Sequence, residues 1–305
     1  MVAGHEIALS LVRADADLWS AWLDSLAALP GDPYEAELHR FNDTVALFVH
    51  RVPVSYYNRV LIAETVDPSV VRDVASFYRE RMMPCRFDVN PYTADSDMLE
   101  ALDTVGFRPA GFQSNLVGPV DYVDDAAAGK LAVDEVRAGQ IEFFAGFFNR
   151  AYYYGQSAPR GLMSFRKATV RARHERPGWR LYLCCVDGVP AAGAMLYVHN
   201  KVATLSGAAT APNFRGRGCQ RALLTARINE AARLGCELVV ARCGVGSWSQ
   251  RNLERAGLQT GYTKVIWEHR DAMSGEPSAR RRRTSSAEDV PEPGADTRRL
   301  HAVVS

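Results

Sequence analysis

The feature that most constrains the fold is an apolar strand pattern that runs into a turn of glycine and arginine and then into a helix pattern. The strand covers residues 202–209, the turn covers 210–220 and the helix covers 218–234. Amide N–H groups at a helix N-terminus are unpaired and carry partial positive charge. The segment therefore predicts a binding site for a diphosphate at the start of this helix.

Each residue type in the turn suits that task. Gly216 and Gly218 remove side chains, so an anion can approach the backbone closely. Arg215 and Arg217 add fixed positive charge with forked donors, and Cys219 and Gln220 complete the 215–220 site. The pattern indicates a nucleotide-type cofactor, and the alternative is a helix entry with a solvated surface.

Two other phosphate-binding folds do not match. A dinucleotide-binding fold needs a three-glycine turn early in a parallel βαβ unit, whereas this turn follows an antiparallel pattern. A P-loop needs Gly-Lys-Ser or Gly-Lys-Thr, but here Gly129 and Lys130 precede Leu131.

Composition narrows the class of protein. The chain has 305 residues, a net charge of +1 and 47% hydrophobic residues, which leaves room for two domains and gives no reason to expect nucleic acid or a membrane as partner. No apolar run has spanning length, and the N-terminus lacks the order of a secretion signal. The six cysteines have no zinc-site spacing. We therefore expect a cytoplasmic protein with reduced cysteines and no metal.

The chain divides into four regions. Residues 1–120 alternate helix and strand patterns, residues 121–130 form an acidic, alanine-rich linker, and residues 131–270 form a second domain. Residues 271–305 contain Arg280 to Arg283 and almost no large apolar residues, which predicts a disordered tail. The alternative is a basic tail that binds nucleic acid.

Periodicity places the elements. In the first domain we predict helices over 15–29, 70–81 and 97–105, with strands over 44–50, 59–63, 85–89 and 107–116. In the second we predict strands over 131–136, 181–186, 191–198, 202–209, 238–241 and 258–269, with helices over 141–153, 163–175, 218–234 and 248–256. The three strands between 181 and 209 form an antiparallel meander with tight turns.

The second domain resembles the GNAT superfamily of N-acetyltransferases. That superfamily's turn reads Gln/Arg-x-x-Gly-x-Gly/Ala, which Arg215 and Gly218 match, while Gln220 replaces the last small residue. The stretch 249–258 resembles the closing helix of the superfamily. Gly106 and Phe107 resemble the end of that helix in the first domain, where no glycine-rich turn precedes them. The resemblance implies a mixed α/β fold of two tandem acyl-CoA N-acyltransferase-like domains, each a mostly antiparallel sheet flanked by helices, the first degenerate.

The resemblance also implies a cosubstrate, acetyl-CoA, and a reaction, transfer of its acetyl group to the amine of a small molecule. The 215–220 turn would hold the diphosphate, and Ala208, Ala209 and Thr210 would pair with the pantetheine arm at a splayed strand end. Asn252 would contact the arm or, with equal weight, brace its own helix. A homo-oligomer is compatible with this reading.

The proton-transfer groups of this chain depart from the pattern of the superfamily. Many members of the superfamily carry a Glu on the strand before the turn, where this chain has Thr204 and Ser206. Many use a Tyr on the closing helix, where this chain has Leu253. Tyr262 in the final strand is the predicted general acid, with strand packing as the alternative. These departures favour a second hypothesis, a catalytically inactive regulatory protein that binds acetyl-CoA.

Two further groups concern the acceptor. Residues 152–154, all tyrosines, and Glu142 are candidates for the wall of an acceptor pocket in the cleft between the domains. The basic helix carries Arg166, Lys167, Arg171 and Arg173, which form a solvated face or contact an acidic acceptor.

Overall fold

The structure is a computed structural model, which describes residues 4–42, 44–62, 67–121, 131–156, 160–174 and 176–269. Residues 4–121 are called the first half and residues 131–269 the second half. Nearly all of the predicted linker and the predicted disordered tail lie outside the described residues.

The first half contains three helices and five strands in the described ranges. They are α1 (His5–Ala27), β1 (Ala36–Phe41), β2 (Thr44–Val49), β3 (Arg59–Ile62), α2 (Pro68–Glu80), β4 (Arg86–Val89), α3 (Ser96–Thr104) and β5 (Phe107–Pro119).

The second half follows the predicted order of elements. It contains β6 (Leu131–Glu135), α4 (Ile141–Tyr152), α5 (Arg160–His174), β7 (Trp179–Val186), β8 (Val189–His199), β9 (Val202–Thr210), α6 (Cys219–Arg233), β10 (Leu238–Gly244), α7 (Trp248–Arg255) and β11 (Gln259–His269). Short 3₁₀ turns precede α4 and α6.

All of these strands form one sheet of 11 strands in the order β1-β2-β3-β4-β11-β5-β10-β9-β8-β7-β6. The neighbours are antiparallel except for the parallel pairs β3/β4 and β9/β10. The predicted mixed α/β fold with a mostly antiparallel sheet is therefore confirmed. The final strand of each half lies inside the other half's part of the sheet, since β11 pairs with β4 and β5 pairs with β10. The two halves consequently share a continuous backbone hydrogen-bond ladder.

Helices cover both faces of this sheet. One face carries α1, α4 and α5, and the core beneath them includes Trp22, Phe144 and Phe165. The opposite face carries α2 and α3 over the first half and α6 and α7 over the second. Within the described ranges, no helix combines the length and the apolar composition that a membrane crossing requires.

Two elements of the first half differ from the sequence prediction. Helix α1 begins ten residues before the predicted start at residue 15, because its early turns bury small or scattered residues such as Ala8 and Leu11 that give little periodic signal. Strand β1 was not predicted. It lies at the edge of the sheet, and most of its side chains are half-buried or exposed, so it lacks an apolar alternation.

Candidate functional site

The parallel strands β9 and β10 separate partway along their length. They pair from Val202 and Leu238 as far as Leu205 and Ala241. Beyond that point β9 continues along β8, and β10 continues along β5. A bulge in the β8/β9 pairing, where Gly207 has a φ of +45°, adds to this divergence. The sheet therefore has an opening between β9 and β10 that begins after Leu205.

The residues predicted to meet the pantetheine arm lie on the β9 edge of this opening. Ala208, Ala209 and Thr210 pair with β8 on one side only. Their other side faces the opening, where an extended amide-bearing chain has backbone groups with which to pair. The splayed strand end expected from the sequence is present, and the contact of these three residues with a cofactor stays a prediction.

The predicted diphosphate turn stands at the N-terminus of α6. Gly216 and Gly218 have φ values of +75° and +84°, a region that favours glycine. Gly218 caps α6 through its backbone alone, with no side-chain hydrogen bond. Among the described residues, the amide N–H groups of 216–220 donate to no protein acceptor. Five neighbouring N–H groups without protein partners form a cradle that fits a diphosphate in donor type and charge.

The other residues of the turn differ in exposure. Arg215 and Arg217 are exposed, and neither forms an ion pair with a described carboxylate. The guanidinium carbon of Arg215 lies 5.6 Å from the ring centre of Tyr154. Cys219 is buried, with its Sγ 3.8 Å from the carbonyl oxygen of Phe214. The arginines thus present charge to solvent, whereas the thiol packs inside.

Asn252 lies on α7, half-buried. The helix is capped by Ser247, whose Oγ accepts a hydrogen bond of 3.1 Å from the amide of Gln250. The Asn252 side chain forms no hydrogen bond with the described part of the chain, so no such bond braces the helix. Its contact with a cofactor stays a prediction.

A cavity lies against the opening on the face of the sheet that carries α1, α4 and α5. Both halves contribute to its wall, including Trp19, Trp22, Tyr57, Phe148, Tyr153 and Trp179. At the sheet it reaches Ser206 and Gly207 on β9 and Arg242 on β10, which flank the opening. The turn before α6 lies on the other face. The opening therefore connects the predicted diphosphate turn with the cavity.

The cavity has the size of a small molecule. Its volume is about 140 Å³, whereas one buried water needs roughly 10–15 Å³ of such space. On that basis it has room for on the order of ten non-hydrogen atoms.

The residues predicted to line an acceptor pocket separate into two sets. Tyr152 and Tyr153 line the cavity, as expected from the sequence. Tyr154 is exposed beside Arg215, outside the lining, and Glu142 lies on the surface. The carboxylate of Glu142 binds two cations of α5 instead of facing the cavity.

The basic helix α5 carries cations on two faces, one paired on the surface and one at the cavity. Lys167 and Arg171 pair with Glu142 at 2.9 Å and 2.8 Å on the outside. Arg166 and Arg173 lie seven residues apart, on the face that lines the cavity. The solvated face predicted from the sequence therefore accounts for two of the four basic residues, and the other two face the interior of the site.

Tyr262 lies away from the cavity. Its side chain is buried under the first turns of α1, with Leu11 and Val12 in the same cluster. It borders a separate, smaller space with Lys264, and burial raises its pKa above the usual value for tyrosine. The structure does not bring Tyr262 to the opening between β9 and β10. The general-acid role stays untested, and this position favours the alternative, strand packing.

Sequence reasoning missed the buried charges beneath the cavity. Arg59 is 1% exposed, and its Nη1 donates to Asp88 Oδ2 at 3.0 Å. Arg242, on β10, donates to the carboxylate of Asp15 on α1. Arg59 stands in a strand that is otherwise apolar, and Arg242 directly follows the apolar run 238–241. A charge in such a run signals either a buried partner or a site.

The titratable groups that line the cavity are tyrosines and arginines. The hydroxyl oxygens of Tyr57 and Tyr153 are 3.3 Å apart, and burial raises the pKa of both. The described residues of the lining include no aspartate, glutamate or histidine. The site therefore offers proton donors and fixed positive charge, but no carboxylate base.

Comparison with known proteins identifies this type of domain. Residues 147–257 match the model of the acetyltransferase (GNAT) family. This range spans α6, its preceding turn and the opening between β9 and β10. No curated protein sequence matches the chain.

Solved structures of similar fold cover most of the chain. A GCN5-related N-acetyltransferase from Kribbella flavida has a TM-score of 0.58 at 17% identity, covering 84% of this chain and 95% of its own. A second, from Sphaerobacter thermophilus, has a TM-score of 0.56 at 13% identity, covering 84% and 91%. A tandem GNAT protein from the clavulanic acid biosynthesis pathway, solved without acetyl-CoA, has a TM-score of 0.55 at 14% identity, covering 83% and 95%. At these identities the likeness shows the fold.

Proposed function

The chain belongs to the GNAT superfamily of acetyltransferases, whose family model covers residues 147–257, and on that premise we propose that it transfers the acetyl group of acetyl-CoA to the amine of a small molecule. The observation that carries the proposal is one continuous arrangement. The N–H cradle at Gly216 and Gly218, the opening between β9 and β10, and the cavity follow one another across the sheet.

The residues of the turn fit the diphosphate of coenzyme A. A Cβ built at Gly216 meets no atom within 4 Å, and one at Gly218 meets only Leu131 Cδ1, at 3.4 Å. Protein packing therefore does not force glycine at these positions. The left-handed backbone and the approach of a ligand to bare N–H groups account for it better. Arg215 and Arg217 add charge beside the cradle.

Acetyl-CoA would supply an activated acetyl group as a thioester. The amine nitrogen attacks the carbonyl carbon, an amide bond forms, the carbon–sulfur bond breaks, and the sulfur leaves as a thiolate that takes up a proton. The amine must first lose its own proton, because alkylamines are mostly charged at neutral pH. Since the described residues of the lining include no carboxylate or histidine, we infer that this chain assists that loss by other means.

Positive charge in the cavity is such a means. A nearby cation disfavours an ammonium group and lowers its pKa. Arg166 and Arg173 face the cavity, and neither pairs with a described carboxylate. A bound amine would therefore hold its proton less tightly, and solvent would carry the proton away. The phenols of Tyr57 and Tyr153, protonated at neutral pH, are candidates for supplying a proton to the departing sulfur.

A second candidate function is a regulatory protein that binds acetyl-CoA without turnover. Thr204 and Ser206 stand where many relatives of the superfamily carry Glu, and Leu253 stands where many carry Tyr. The same cradle and opening would serve this function. Turnover separates the two candidates, since only an enzyme releases free thiol from acetyl-CoA when an amine is added.

Calorimetry of the full chain with acetyl-CoA tests the cradle. Gly218→Val places a branched side chain beside the N–H groups, and we expect it to weaken acetyl-CoA binding by about tenfold or more, since displaced charge-assisted hydrogen bonds are each worth roughly 1.5–3 kcal/mol. Gly235→Val is the matched control. Gly235 has a φ of +69°, has open space around it and lies at the far end of α6. Equal affinity of the two variants for acetyl-CoA would contradict the proposal that the N–H groups of 216–220 bind its diphosphate.

A further inference from the structure

Two of the arginines at the cavity have no ionic partner in the part of the chain that the structure describes. Arg59 and Arg242 are balanced by Asp88 and Asp15. Arg173 instead donates to the sulfur of Met195. The guanidinium carbon of Arg166 lies 3.7 Å from the ring centre of Tyr153. Neither Arg166 nor Arg173 forms an ion pair with a carboxylate in the described ranges. Burial lowers the pKa of Arg173 to about 10, so it remains a cation at neutral pH.

The same cavity concentrates polar atoms that lack hydrogen bonds. Six buried side-chain atoms of lining residues have no hydrogen-bond partner among the described residues, namely Nε1 of Trp19 and Trp179, Nε of Arg166 and Arg173, Oε1 of Gln113 and Oδ1 of Asn149. Four of these atoms belong to N–H donors and two are amide oxygens. Leaving a buried polar group unpaired is costly. This set therefore fits a ligand that brings both acceptor and donor groups.

The rest of the wall is aromatic. Trp22 stacks on Tyr57 with ring centres 5.7 Å apart, and Trp179 packs against Tyr197 at 4.9 Å. Phe148 also lines the cavity. Such a wall favours an apolar or aromatic body of limited size. It does not favour a highly charged polyamine, for which the described lining residues offer no carboxylate.

We propose that the acceptor is a small amine that also carries a carboxylate and an apolar body, as α-amino acids with apolar side chains do. Its carboxylate is held by Arg166 and Arg173, because the guanidinium fork matches the two oxygens of a carboxylate. Its amino group donates to the amide oxygens of Gln113 and Asn149. The inference rests on the proposed function, since it names the substrate class of the same site.

The proposal explains why a site for an amine is cationic. A plain alkylammonium would be repelled by Arg166 and Arg173. A carboxylate on the same molecule offsets that repulsion. The arginines then bind the carboxylate and still lower the pKa of the nearby amino group. One pair of side chains thereby selects the acceptor and favours its neutral, reactive form.

Binding of amino acids and of their decarboxylated counterparts tests this directly. Calorimetry uses the full chain without acetyl-CoA and three matched pairs, L-phenylalanine with phenethylamine, L-tryptophan with tryptamine, and L-leucine with isopentylamine. We expect at least one amino acid to bind about tenfold or more tightly than its amine, as the loss of a charge-assisted contact implies. The absence of a carboxylate preference in all three pairs, including the absence of any binding, would overturn the proposal.

Variants of α5 assign the preference to particular side chains. Arg166→Met and Arg173→Met should each weaken binding of the preferred amino acid by about tenfold and reduce its advantage over the amine. Arg173→Lys, which keeps the charge but loses the fork, should fall between. Arg171→Met is the control, because Arg171 lies on the same helix, is exposed and pairs with Glu142. An equal loss in Arg171→Met would also overturn the proposal.

Failure of the proposed function has a different signature. If the full chain binds no acetyl-CoA, the acetyltransferase proposal fails, whereas amino-acid binding is still measured on its own. If acetyl-CoA binds and plain amines are acetylated without a preference for carboxylated acceptors, the function stands and the acceptor inference fails. Each variant should bind acetyl-CoA as the wild type does, which shows that a loss of amino-acid affinity is local to the cavity.

Discussion

Replacing Asp88 by asparagine is expected to destabilise the protein far more than replacing Lys264 by methionine, although the two side chains are in contact. Both belong to a buried charge cluster under the cavity, which consists of Asp15, Arg59, Arg86, Asp88, Arg242 and Lys264. The cluster has four basic and two acidic members. It therefore carries an excess of positive charge when all are ionised.

Replacing Asp88 should cost more free energy of unfolding than replacing Lys264, because three cations pair with the Asp88 carboxylate. Its carboxylate meets Arg59 at 3.0 Å, Arg86 at 3.1 Å and Lys264 at 2.8 Å. Asp88→Asn removes the only described carboxylate that pairs with Arg59 or Arg86 and raises the positive excess from two to three. Leaving a buried charge without its partner costs about 3–5 kcal/mol. We expect a loss of that order in the free energy of unfolding.

Removing Lys264 lowers the positive excess of the cluster from two to one. Burial, with Arg242 and Arg59 nearby, lowers the pKa of Lys264 to about 7, which shows that the site disfavours its charge. Without it, Asp15 keeps Arg242, and Asp88 keeps Arg59. Methionine retains a similar apolar volume, so Lys264→Met should cost no more than about 1.5 kcal/mol and the change is neutral or stabilising if the desolvation penalty dominates.

Urea denaturation of the full chain measures the contrast. Circular dichroism and tryptophan fluorescence follow unfolding of the wild type, Asp88→Asn and Lys264→Met, with the slope on urea compared to show that the same surface is exposed. A midpoint near the wild type for Lys264→Met and a much lower one for Asp88→Asn is expected. An equal drop in the urea midpoint of both variants would refute the inferred excess of positive charge in the cluster.

Two further predictions follow from single residues. Burial alone would raise the pKa of Asp88, but the cations Arg86, Lys264 and Arg59 hold it below the usual 3.8. Below about pH 4 the unfolded chain therefore binds more protons than the folded chain. The stability advantage of the wild type over Asp88→Asn, measured by urea midpoints, should shrink there by up to about 1.4 kcal/mol per pH unit. A gap that stays constant from pH 5 to pH 3 would argue against this. Tyr262→Phe should change kcat less than about threefold, because the side chain lies outside the cavity, whereas loss of a general acid would cost roughly 10²–10⁴-fold.

Local sequence patterns predicted most of the helices and strands that form the candidate site. The turn 215–220 and α6 were predictable because a glycine-rich helix entry is set by adjacent residues. The strands and helices of the second half lie within a few residues of their predicted bounds, for periodicity is a local signal. The opening between β9 and β10 agrees with the splayed strand end that the resemblance implied.

Partners that are distant in the sequence were not predictable. Nothing in β5 or β11 indicates that each pairs within the other half, because a strand's alternation does not specify its neighbour. The seven-residue spacing of Arg166 and Arg173 places them on one face of α5, yet the sequence does not say which face is buried. Arg59 begins an otherwise apolar strand, and the sequence gives no sign of its partner, Asp88, which lies 29 residues away.

The first half has a parallel strand pair, β3 and β4, joined through α2, in the position that β9, α6 and β10 hold in the second half. The N-termini of α2 and α6 differ in whether their amide N–H groups are free to bind an anion. Helix α2 begins after Asp67, whose carboxylate accepts the amide of Ser69 at 2.7 Å, and Pro68 removes another N–H group. A carboxylate at this position repels a phosphate and occupies a donor that it would need. At α6 the corresponding end is Gly218, with no side-chain cap. The N-terminus of α2 is therefore occupied by a carboxylate of the protein, whereas the N-terminus of α6 is open to the phosphate of a ligand. On these electrostatic grounds we propose that coenzyme A binds to the second half. The first half contributes to the wall of the cavity through residues such as Trp19 and Tyr57.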